Sequence, residues 1–143
     1  MIRNKKLFYL LSFTWGLPMT LLGCLVAVVL LVIGYRPKKW GWCWYFEVGK
    51  NWGGLELGVI FLTNKNPSDH IKNHEHGHAI QNCWFGLLMP FIVCIPSAIR
   101  YWYREYLVRG GKKTYSELPN YDSVWFEGWA STLGTRFINW ITV

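Results

Sequence analysis

In 143 residues the chain carries 52% hydrophobic residues, ten tryptophans and only 16% charged residues, a balance that speaks against an ordinary soluble domain and points to a membrane protein. Its net charge is +7, but the cations fall in short sets beside apolar segments (Arg3, Lys5 and Lys6; Arg36, Lys38 and Lys39; Arg100, Arg104, Arg109, Lys112 and Lys113). That is the pattern of headgroup anchors, and with no nucleic-acid-binding motif beside them it argues against a nucleic-acid partner.

From Leu7 to Gly34 no charged side chain interrupts the chain, which is enough helix to cross about 30 Å of hydrocarbon. A signal peptide is the competing reading, but the run exceeds an h-region of about 7 to 15 residues, and GYRPKKW offers no small-residue cleavage site. Residues 40–63 are rich in aromatic and β-branched side chains on either side of KNWGG, and read as a hairpin. In NKNPSDH, Asn66 is placed to cap a helix, with Pro67 at its first position and Asp69 near the free amides. That helix is expected to run through His70 to Leu88 and to break at Pro90, followed by a segment from about Phe91 to Val108. A polar loop spans Gly110 to Asn120. The last element, from Tyr121, is apolar but for Glu127 and Arg136 as its principal ionisable interruptions. Together these elements predict a mostly α, integral membrane helical bundle of three or four membrane-associated helices, with a small β-hairpin before the motif helix. It is read as one domain over residues 1–143, placed in the cell membrane. The cysteines Cys24, Cys43, Cys83 and Cys94 show no CxxC spacing and imply no disulfide framework.

All four histidines lie in DHIKNHEHGHAIQ. His74, Glu75 and His78 satisfy H-E-x-x-H: on a helix the two histidines project from one face and can converge on one metal ion, while Glu75 reaches a metal-bound water as general base. Catalytic zinc normally takes three protein ligands. Two readings stand for Glu127, a carboxylate inside an apolar segment: third ligand, which completes the site and explains the buried charge, or an ion pair with Arg136 or Arg100. Asp122 suits a helix cap. His70 shares the face of His74 but lies in the first turn, so an outer role suits it better; His76 points away from His78 and reads as a packing or solvent histidine. Gly77 invites close approach of another backbone. A di-iron oxygenase would need more ligands than these, and a haem site would leave Glu75 and Glu127 without roles.

HEHGH followed by EGWASTLG resembles the H-E-x-x-H and E-x-x-A-D motifs of membrane gluzincin metallopeptidases of the Ste24 and HtpX type. The resemblance covers about 75 residues, from near Asn66 to about Gly134, in a chain far shorter than typical members. It implies zinc held by His74, His78 and Glu127, water activation by Glu75, and Ala130 as a small helix-packing position. Ser131 departs from the family aspartate and leaves the outer support of a histidine to a hydroxyl. With this comes an expectation of zinc-dependent peptide hydrolysis at or within the membrane. A peptide or membrane-protein substrate would lie along a strand at Leu55 to Leu62, with Arg136, Arg100, Tyr121 or His70 meeting the oxyanion, and the lipid bilayer as the surrounding partner. The alternative is a noncatalytic membrane interaction or scaffold protein with a structural metal site.

Overall fold

The computed structural model describes residues 2–142. Asn4 opens helix α1 (Lys5–Phe13) by accepting from the amides of Lys6 and Leu7, which supplies two of the donors that a helix start leaves without partners. Pro18 in the first turn starts α2 (Leu17–Val32) after Gly16, and the two helices meet at 89°. The single uncharged run of the sequence is therefore two elements.

Four strands follow: β1 (Lys38–Trp40), β2 (Cys43–Glu47), β3 (Gly54–Leu57) and β4 (Ile60–Thr63), in sheet order β1-β2-β4-β3. The one hairpin expected over residues 40–63 is corrected to two antiparallel hairpins joined by a parallel pairing of β2 with β4. Gly58, at φ 75°, turns the chain inside LELGVIFLT, a conformation that costs glycine little. KNWGG lies on the crossover rather than in a hairpin turn. Leu57 and Ile60 press on Gly23 of α2. Gly54 meets the side chain of Glu75 in α3 (Asp69–Phe85), so the sheet lies between these two helices.

Ser68, not Asn66, caps α3: its hydroxyl accepts from the Ile71 amide at 3.3 Å, while Asn66 sits at φ 53°. At the other end Gly86, at φ 54°, closes α3 before Pro90. A 3-10 turn (Gly86–Leu88) and a π turn (Pro90–Cys94) then lead into α4 (Ile95–Arg109). The last helix is α5 (Trp125–Thr142). It crosses α3 almost backbone to backbone: a Cβ on Gly77 would strike the Ala130 carbonyl, and one on Gly134 the Asn73 carbonyl. Phe8, Phe46, Phe61, Phe137 and Ile80 are fully buried around this crossing.

Among the described residues no single helix is long and apolar enough to cross a membrane. Two pairs reach the required length and composition only together, and both are sharply bent, α1 with α2 at 89° and the α3 and α4 segments at 113°. The expected integral membrane bundle is thereby corrected to a mostly helical fold built on a four-stranded mixed sheet. The cell-membrane location and the bilayer partner rested on those spans and are corrected with them. Large apolar side chains remain exposed on the outer faces, Leu25, Val28 and Val29 of α2 and Ile99, Trp102 and Tyr103 of α4.

Candidate metal centre

His74 and His78 are one helical turn apart and both buried, so their rings leave α3 in the same direction. Glu127, in the first turn of α5 and fully buried, meets them because Gly77 lets α5 lie against that stretch of α3. His74 Nε2 and His78 Nε2 are 3.0 Å apart, and each lies 3.1 Å from Glu127 Oε2. One donor atom from each of the three residues falls within 4.8 Å of the others, a set able to chelate a divalent ion.

The far side of each imidazole is engaged. Ser131 donates its hydroxyl to Asp122 Oδ2 at 2.7 Å, so its oxygen accepts from His74 Nδ1–H at 2.8 Å. Gln81 donates its amide to the Phe126 carbonyl at 2.8 Å, which turns its oxygen toward His78 Nδ1 at 2.8 Å. Both rings therefore carry hydrogen on Nδ1 and present Nε2 lone pairs to one point, the orientation metal-ligating histidines adopt. Ser97 of α4 donates to the other oxygen of Glu127.

Electrostatics follow from burial and from this crowding. Burial alone would raise the Glu127 pKa, but in the metal-free cluster a proton held at the paired Nε2 atoms of His74 and His78 hydrogen-bonds the carboxylate, overcomes burial and holds the carboxyl at about 2. For His78 burial favours the neutral ring, yet the Glu127 hydrogen bond and the field of Glu75 carry its pKa above the ordinary histidine value. Burial raises Glu75, only partly offset by His74 and His78.

Glu75 stands beside the three-residue cluster, lining with it a cavity of about 940 Å³. His70 lies outside the cluster, exposed and 3.6 Å from Asp122. His76 is in the core, stacked between Phe8 and Phe137 at 6.2 and 4.3 Å, where burial lowers its pKa to about 3. No ion pair joins Glu127 to Arg136 or Arg100 among the described residues. Arg100 instead binds the Asn120 and Tyr121 carbonyls and the Ser123 hydroxyl. Of the residues considered for the oxyanion, Tyr121 and His70 line the cavity, whereas Arg136 borders a separate shallow depression.

Sequence reasoning missed Gln81, Ser97 and the true place of Asp122. Gln81 carried a signal, three residues beyond His78 and hence on its face. Ser97 carried none. Asp122 is not the cap of α5: it sits in a 3-10 turn, Tyr121–Ser123, capped by Asn120.

No protein-family model matches the chain, and no curated protein or solved structure is significantly similar to it. The resemblance to membrane gluzincins is corrected on two findings: the motif helix packs on a four-stranded mixed sheet rather than in a membrane bundle, and no family model supports it.

Proposed function

We propose that this chain binds a divalent ion, zinc by its donor set, through His74, His78 and Glu127, and that the ion locks α3 to α5 in a noncatalytic interaction or scaffold protein. One observation carries the proposal: two buried imidazoles, each with Nδ1–H engaged, turn their Nε2 lone pairs on each other and on a carboxylate oxygen. Those groups repel unless a cation, a metal ion or a proton, sits between them; two nitrogens and an oxygen suit zinc. Burial of all three ligands at the tightest helix crossing supports a structural role, because binding free energy there becomes folding free energy. The exposed apolar faces of α2 and α4 are the surfaces an interaction role would use. The test is zinc content after purification and metal exchange. About one zinc per chain is expected, lost in Glu127→Ala; zinc-free protein, or uptake unchanged in that variant, overturns the assignment.

A second reading has its own support. Glu75 is buried, lines the same cavity and lies against Gly54, where a side chain would collide with it. This is the reading of the site as a zinc metallopeptidase, with no membrane attached to it. A bound zinc would polarise a substrate carbonyl and acidify water. Glu75, its pKa raised, would then take and return a proton at its carboxylate, and Tyr121, which lines the cavity beside His74, would face the substrate. Hydrolysis of a generic protein substrate by the zinc-loaded wild type, lost in Glu75→Gln with zinc retained, is the expected result. Absence of hydrolysis in the loaded wild type leaves the structural role alone.

A further inference from the structure

The support behind His74 comes in two parts, a serine hydroxyl that touches the ring and a carboxylate that touches the serine. We propose that Asp122 is the positioning residue for His74, acting through the Ser131 hydroxyl, and that Arg100 holds the turn which delivers it; the proposal rests on the metal reading above. Asp122 Oδ2 accepts from Ser131 at 2.7 Å, Ser131 Oγ lies 2.8 Å from His74 Nδ1, and Asp122 Oδ1 itself stays 3.8 Å from that nitrogen. The last distance is too long for a hydrogen bond, so the contact has to pass through the serine.

A serine alone is an undirected support, because its hydroxyl rotates and can donate or accept. Accepting the O–H, Asp122 removes that freedom: the Ser131 oxygen can then only accept, and the His74 hydrogen is kept on Nδ1. Nε2 is left as a lone pair aimed at Glu127 and His78. Asp122 in turn is placed by its own surroundings. Its amide is capped by the Asn120 side chain at 3.2 Å. Arg100 reaches over from α4 to the carbonyls of Asn120 and Tyr121 at 2.9 and 3.2 Å and to Ser123 Oγ at 3.0 Å, and Arg104 donates to the Pro119 carbonyl at 2.5 Å. Both guanidinium groups lie 5.6 Å from the Tyr121 ring centre. A turn so held fixes the carboxylate, and the carboxylate fixes the ligand.

The experiment combines zinc affinity, by chelator competition, with nitrogen-15 imidazole spectra of the zinc-free protein. Ser131→Ala is expected to weaken zinc binding about 10- to 100-fold and to release His74 from the Nδ1-protonated tautomer, while Ser131→Thr retains both properties. Asp122→Asn, in a partly exposed turn and so the safer variant to fold, is expected to weaken binding about tenfold. The double variant should be no weaker than Ser131→Ala alone, because both changes break one relay. Affinities of the two single variants within about twofold of wild type, or losses that multiply in the double variant, overturn the relay. Wild type that takes up no zinc overturns the metal reading instead, and the tautomer spectra then decide the relay by themselves.

Discussion

One helix, α3, carries two kinds of buried histidine. On the face toward α5 and the cavity, His74 and His78 each have a polar partner at Nδ1 and turn Nε2 toward Glu127. On the other face His76 lies between two phenylalanine rings, accepts from the Trp42 amide at 3.3 Å, and keeps an Nδ1 with no partner. Residue type and burial are alike on the two faces; what differs is the shell behind the ring. A histidine backed by an acceptor has its ring and tautomer fixed with Nε2 free to bind, whereas one backed by aromatic carbon is packing, with a cost for the unpaired N–H.

The comparison can be broken most forcefully at Phe137, which stacks on His76 and meets Trp42 edge-on at 4.6 Å. Phe137→Ala is expected to cost about 3 to 5 kcal/mol, with and without zinc, as read by denaturant unfolding. A loss confined to the zinc-loaded protein would mean that the two faces are not separable.

A pH titration of zinc-free stability sharpens the contrast. The His76 pKa is about 3 in the fold against 6.5 for an ordinary histidine. Above pH 6.5 the ring is neutral in both states and the stability is full. Below it the unfolded chain takes up a proton that the fold refuses, so stability falls as pH falls. The loss is about 1.4 kcal/mol per unit, or about 3 kcal/mol over two units. In His76→Gln this acid slope should lessen by one proton; an unchanged slope would remove His76 from the account.

On the ligand face, wild type in zinc at a hundredfold excess over Kd should gain about 2.7 kcal/mol. His78→Ala should lose that gain, as read by the shift of the thermal midpoint, and a shift of wild-type size in the variant would exclude His78 as a ligand. The smallest effect belongs to the shell. Gln81→Ala frees His78 Nδ1 and should weaken zinc binding about tenfold, where a change below twofold would show that the amide only fills space.

Much of the local structure could be read from the residues. H-E-x-x-H on a helix brings His74 and His78 to one face whatever the surroundings, since the spacing matches the helical period, and the glycine at 77 announced a close backbone neighbour. The membrane bundle was misread because an uncharged run has the composition of a span whether it is straight or folded on itself. Thr14 to Gly16 bend this one by about a right angle, which composition does not encode. Similarly, the strand-forming stretches were recognised but not the number or order of the strands, because period-2 patterning is the same for parallel and antiparallel neighbours and Gly58 turns the chain inside what reads as one strand.

By itself, then, the sequence determined that two histidines and the glutamate between them share one helix, and that one glutamate lies alone in a late apolar segment. Tertiary structure decided which of them meet. Glu127 and Ser131 reach the histidines across helix crossings, Ser97 through Glu127 and Asp122 through Ser131, at separations of up to 57 residues, and such contacts depend on backbone approach at Gly77 and Gly134 rather than on any local period. For the same reason the character of His76 was settled only by Phe8 and Phe137, brought to it from the two ends of the chain.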